Sequence, residues 1–134
     1  MTDKSELIRR CLDERKSFAT TGESYSPACV ELFRLAFAGD EVAWEAIFAE
    51  VFRREVYGFV VAAARVRRFS PEDVEDAIQK TRLAFWHYAP KTATLAKVDD
   101  LAPLIAYLKR CAMSAVALVA RKLPPDSYAL NEIR

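Results

Sequence analysis

The chain has 134 residues, 52% of them hydrophobic and 29% charged, enough to fold as one domain around a real core. Only three glycines occur, which argues against a turn-rich sheet protein and for helices. The net charge of +1 excludes a global field that would draw the protein onto nucleic acid, so charged function must sit in local clusters.

In chain order, Thr2 to about Ser17 reads as a short helix with Leu7, Ile8, Cys11 and Leu12 on one face, capped by Asp3 or Ser5 and pinned by Phe18. Ala19 to Ser26 has linker chemistry. Ser26-Pro27 opens a second helix running through Leu32, Leu35 and Ala36 to Ala38. Gly39 is a stop signal, and Asp40 caps the helix that follows at once. That third helix is expected over Glu41 to Ala64. Its first half carries Trp44, Ile47, Phe48 and Val51; its second carries Val56, Tyr57, Val60, Val61 and Ala64. The change of stripe predicts two packing partners or a bend near Gly58.

Arg65, Arg67 and Arg68 precede the next helix, placed to satisfy helix-end carbonyls or to touch phosphate. Ser70-Pro71-Glu72-Asp73 is a strong start signal. The helix runs to Tyr88, with Val74, Ala77, Ile78, Thr81, Phe85 and Tyr88 on its core face. Ala89-Pro90 ends it, and Lys91 to Val98 is a loop. Asp99 and Asp100 cap a last helix from Leu101 to about Lys122. Leu101, Leu104, Ile105, Leu108, Cys111, Ala112, Ala115, Val116 and Val119 form its buried stripe. Pro124-Pro125 stops it. The chain thus divides into an arm and linker (1–26), a helical domain (27–123) and a tail (124–134).

The chemistry-bearing residues are sparse. His87 is the sole histidine, and no phosphate loop, nucleophile elbow or His/Cys metal cluster occurs, so neither an enzyme nor a cofactor or metal is expected. Cys11, Cys29 and Cys111 are widely spaced and odd in number, which argues against a disulfide framework and for a reducing compartment. The apolar run Ala112 to Ala120 is too short to span a membrane, and no signal peptide is visible.

Two surfaces remain. The outer face of the Ser70–Tyr88 helix carries Glu72, Asp76, Gln79, Leu83 and Trp86, acidic at the front and apolar at the back. A Trp beside acids and an amide suits a protein contact; the plainer alternative is that Trp86 packs on a neighbouring helix. From Leu101 to Pro125 there is no acid, and cations fall at Lys109, Arg110, Arg121 and Lys122. Tyr107, Arg110, Ser114 and Arg121 share one side there, a pattern able to meet phosphates and stack on bases, with Lys91 and Lys97 extending it. Charge segregated in this way suits two different partners.

Three segments resemble region 2 of bacterial RNA polymerase sigma factors, nearest the extracytoplasmic-function group. Ala38-Gly39-Asp40-Glu41-Val42-Ala43-Trp44 through Phe48 is similar to the family's opening Gly-Asp-x-x-Ala-aromatic segment. Asp73-Val74-Glu75-Asp76-Ala77-Ile78-Gln79 through Trp86 resembles the Glu-Asp-hydrophobic-hydrophobic-Gln motif that docks on the polymerase clamp helices. Tyr107-Leu108-Lys109-Arg110-Cys111-Ala112-Met113-Ser114 through Arg121-Lys122 resembles the stretch that reads the melted minus-ten element. The match spans about Pro27 to Lys122.

The resemblance implies an orthogonal or antiparallel helical bundle of region 2 type behind an N-terminal helical arm. It implies a cytoplasmic, non-enzymatic transcription initiation domain with no membrane partner. Glu72, Asp76, Gln79, Leu83 and Trp86 would meet the beta-prime clamp helices of core polymerase. Lys91, Lys97, Tyr107, Arg110, Ser114, Arg121 and Lys122 would meet single-stranded promoter DNA. An anti-sigma regulator is a further implied partner. Here Lys80 and Arg82 stand where the family usually has Glu and Phe, and Ser114 and Leu118 where it has Asn and Asp. The residues after Lys122 are too few for the helix-turn-helix that reads the upstream promoter element. These departures keep open an alternative, a sigma-like interaction or regulatory module without promoter activity.

Overall fold

The computed structural model describes residues 4–23, 25–92 and 100–122. Within them the regular elements are all helical: α1 (Lys4–Thr21), α2 (Pro27–Phe37), α3 (Glu41–Ala46), α4 (Arg53–Arg67), α5 (Pro71–Tyr88) and α6 (Ala102–Ala120). A π turn (Ile47–Val51) joins α3 to α4, and a 3-10 turn (Ala89–Lys91) follows α5. Thr2, Asp3, Lys97, Asp99 and the 124–134 tail lie outside the described residues.

Local signals set most helix ends. Gly39 has φ +106°, a conformation open to glycine, and the Asp40 carboxylate accepts the Ala43 N–H at 3.0 Å. At α5 the Ser70 hydroxyl accepts the Asp73 N–H at 3.1 Å, while the Asp73 carboxylate accepts the Ser70 N–H at 3.0 Å. This reciprocal pair satisfies two donors that the helix start leaves open. The Asp100 carboxylate accepts the Ala102 N–H at 3.2 Å at the head of α6.

Other ends differ from the sequence expectation. The Ser26 side chain makes no cap hydrogen bond at α2; instead Glu14 of α1 accepts the Ala28 and Cys29 N–H groups, each at 2.9 Å. An acid from a neighbouring helix thus neutralises the positive end of α2. α1 itself continues to Thr21, past the expected linker start, and Gly22 at φ +78° follows it. At the end of α4 the backbone does what the arginine side chains were expected to do. Arg68 adopts φ +54°, and the Arg68 and Phe69 N–H groups both donate to the Ala64 carbonyl.

The expected long third helix is broken at Phe52, six residues before Gly58. The Phe52 N–H reaches back five residues to the Ile47 carbonyl at 2.7 Å. One extra residue in a turn advances the helix phase by roughly 100°. That rotation explains why the apolar stripe changes between the halves: Ile47, Phe48, Val51 and Phe52 are buried before it, and Val56, Val60 and Ala64 after it. Tyr57, expected in the second stripe, is 57% exposed.

The main core is built around Phe85 of α5. Its ring lies 5.7–6.4 Å from those of Phe33, Phe37, Trp44, Phe48, Phe52 and Tyr107. Rings at such spacing in stacked, tilted and edge-on arrangements add to simple burial. A second cluster, Val60, Ala77, Ala112, Val116 and Val119, forms where α4, α5 and α6 meet. Thr81 of α5 is also buried, its hydroxyl satisfied by the Ala77 carbonyl at 2.8 Å. Tyr88, expected inside, is exposed and sets its ring edge-on to His87. α6 is long and apolar enough, by length and composition, to cross a membrane. Leu104, Leu108, Ala112, Ala115, Val116 and Val119 bury its apolar stripe within the bundle.

The segment before Pro27 shares this core. Leu7 and Cys11 are sealed within it, and Tyr25 forms an isolated antiparallel bridge with Asp100. Cys11 and Cys29 form a disulfide between α1 and α2, with Cα atoms 4.4 Å apart, contrary to the expectation of unpaired thiols. Helix packing brings two cysteines 18 positions apart in sequence face to face, which spacing alone could not reveal. Cys111 is the buried free thiol among the described residues, as its place in the stripe predicts. Burial pushes its pKa up to about 11.

Candidate functional site: the outer face of α5 and the polar side of α6

α5 presents its five outward residues along one side because its opposite side is held by Ala77, Thr81 and Phe85. Glu72 and Gln79 are exposed and Asp76 is partly so. Leu83 and Trp86 stand 57% and 53% exposed, which leaves a large apolar surface in water. Trp86 is therefore not a core residue, although one edge of it is supported by Trp44 at 6.2 Å between ring centroids. A ring braced on one side and open on the other can be buried by a partner at small entropic cost.

The charges on this face are arranged by α5 itself and by its neighbours. Asp76 accepts from the Lys80 ammonium at 2.7 Å, one helical turn away. That hydrogen bond holds the Asp76 carboxyl below the usual range and raises the Lys80 ammonium above its own. Arg82 pairs with Glu45 of α3, and its guanidinium lies 5.7 Å from the Phe48 ring centroid. Lys80 and Arg82 are thus each engaged with an acid. Gln79 and Arg82 also line a cleft of about 270 Å³ with Phe48, Arg53, Val56 and Tyr57.

The α6 residues divide. Arg110, Ser114, Arg121 and Lys122 are exposed. Tyr107 is half-buried and packs edge-on against Phe85 at 5.9 Å, so its ring serves the core as well as the surface. Leu118 is 46% exposed between Ser114 and Arg121, which makes this side more apolar than its hydroxyl and cations suggest. Lys91 ends the 3-10 turn after α5, with its ammonium 3.3 Å from the His87 ring nitrogen. Lys97 lies outside the described residues.

The two surfaces expected to be separate touch at one end. Lys122 lies close enough to Asp76 for its charge to help depress the Asp76 pKa. Sequence reasoning missed this junction because the residues are 46 positions apart. It also missed Glu45, whose link to α5 through Arg82 has no local signal. No group of three His, Cys, Asp or Glu among the described residues is placed to hold a metal ion. No family model matches the chain, and neither a curated protein nor a solved structure matches it.

Proposed function

We propose that this chain is a sigma-factor-like initiation domain of region 2 type. It is a cytoplasmic, non-enzymatic protein that binds the clamp helices of core RNA polymerase through α5 and contacts melted promoter DNA through α6. The observation that carries the reading is the outward row on α5. Asp76, Gln79, Leu83 and Trp86 follow the family's docking motif in order, Glu72 extends their row by helical spacing, and the apolar end of the row is open to solvent. Trp86 is the anchor and the acids set register on a basic partner.

A pull-down with core RNA polymerase tests it. Asp76→Arg combined with Gln79→Ala abolishes capture in this reading, while capture equal to that of the parent removes α5 as the docking face. Arg110→Ala with Arg121→Ala weakens single-stranded DNA binding and makes it less dependent on salt, since fewer counterions are released. Disulfides are rare in reducing compartments. In a cytoplasm Cys11 and Cys29 would be thiols, leaving α1 held by packing, by the Glu14 cap and by an Arg15–Glu55 ion pair.

A second reading, a regulatory interaction module without promoter activity, is favoured by α6. Tyr107 is half-committed to the core and Lys122 lies beside an acid, so fewer groups are free for DNA. Run-off transcription with core enzyme separates the two: a promoter-specific transcript requires the first, and polymerase binding without one requires the second.

A further inference from the structure

A cleft of about 800 Å³ lies between α1 and the start of α4, and its wall shares Arg53 and Tyr57 with the smaller cleft that Gln79 lines. Its volume is that of a small-molecule site. Leu12, Ala19 and Val51 supply apolar wall, and Arg15, Lys16, Arg53 and Arg54 supply cations against a single acid, Glu50. Arg15 is already neutralised by Glu55. None of the described acids forms an ion pair with Lys16, Arg53 or Arg54, and burial, with a smaller contribution from the charge of Arg54, lowers the Arg15 pKa. An anion entering the cleft would balance the positive charge that Lys16, Arg53 and Arg54 present there.

Two further features call for a ring beside that anion. Tyr57 lines the cleft with 57% of its surface exposed, although the sequence pattern places it in the core stripe. Gly58 lies next to it inside α4. Glycine is among the least favourable residues in a helix interior. A Cβ added at Gly58 would meet nothing within 4 Å, its φ is not positive, and the chain break is at Phe52 instead. Neither packing nor backbone geometry within the fold requires a glycine there. The open space beside its Cα leaves room for a flat ligand to approach the helix backbone closely.

We propose that this cleft binds a nucleoside di- or triphosphate, with the phosphates on Lys16, Arg53 and Arg54 and the base against Tyr57 over Gly58. The site borders the docking face through Arg53 and Tyr57, which also line the smaller cleft beside Gln79, and nucleotide binding to it is measured without polymerase.

Titration calorimetry with ADP and GDP on the full chain, with pyrophosphate as a control, tests the proposal. Binding of a nucleotide is expected, with pyrophosphate at least about tenfold weaker, because stacking on an aromatic side chain is worth roughly that much. Arg53→Ala with Arg54→Ala should lower affinity about tenfold or more, since hydrogen bonds to charged groups are the stronger kind. Gly58→Leu is the decisive variant. It puts a branched side chain into the cleft wall where the ligand would meet the helix backbone while improving helix propensity, so it should raise the melting temperature and abolish binding together. No binding of either nucleotide, pyrophosphate binding as tight as nucleotide, or nucleotide affinity unchanged in a folded Gly58→Leu variant would each overturn the proposal.

Discussion

Removing one member of the Arg15–Glu55 pair should be the most damaging single polar change in the protein. The pair joins α1 to α4, with 16% of the Arg15 side chain and 8% of the Glu55 side chain exposed. Glu55→Gln leaves a guanidinium whose surroundings already disfavour its charge, because burial and the nearby Arg54 both push its pKa down. Arginine does not shed its proton at workable pH, so the cost is borne as instability. Breaking a buried pair in this way costs about 3–5 kcal/mol. In a domain of this size that corresponds to a fall in melting temperature of roughly 10–20 °C. Arg15→Met should cost a similar amount by stranding the carboxylate. The double variant Arg15→Met/Glu55→Leu removes both charges and should recover most of the loss, since apolar replacements of buried pairs are often neutral. Urea denaturation followed by circular dichroism, with the three variants as a double-mutant cycle, measures the coupling. Single variants that each cost under about 1 kcal/mol, and simply add in the double, would show the pair to be a solvent-screened contact.

Further outcomes follow from the helix junctions. Reducing the Cys11–Cys29 bridge should lower stability by about 3 kcal/mol, the loop-closure value for a separation of 18 residues, read as a melting shift with and without dithiothreitol. Arg68 holds a left-handed backbone that costs a non-glycine residue roughly 1 kcal/mol or more. Arg68→Gly should therefore stabilise the protein by about 0.5–1 kcal/mol in urea melts, and a loss would show that the arginine side chain makes a contact outweighing its strain. Asp40 is hydrogen-bonded by Lys4 at 2.6 Å and by the Ala43 N–H, which hold its carboxyl below the usual range. A depressed carboxyl contributes stability above its unfolded pKa of about 3.9 and loses it as pH falls through the folded value. Asp40→Asn should thus make acid unfolding below about pH 4 less steep, and an unchanged acid limb would remove Asp40 from that transition.

Much of α5 was legible from its residues. The Ser70/Pro71 start, the inner Ala77, Thr81 and Phe85, and the outer row ending at Leu83 and Trp86 all follow from local chemistry and a 3.6-residue period. Tyr88 fell outside that logic because the buried face runs out where the chain turns into the Ala89–Lys91 segment. Tyr107 was read as free because it is polar-tipped and beside Arg110. That it leans on Phe85, 22 positions earlier, depends on how α5 and α6 pack.

Helix content, the sites of most helix ends and the amphipathic stripe of α6 were already determined by the sequence. Each is set by interactions among residues within about four positions of one another, and those are visible in a linear string. Tertiary structure alone decided the π turn before Phe52, the capping of α2 by Glu14, the Cys11–Cys29 and Arg15–Glu55 links and the cationic cleft between α1 and α4. Their partners come from separate helices, and only burial of the shared apolar core brings such groups within bonding distance.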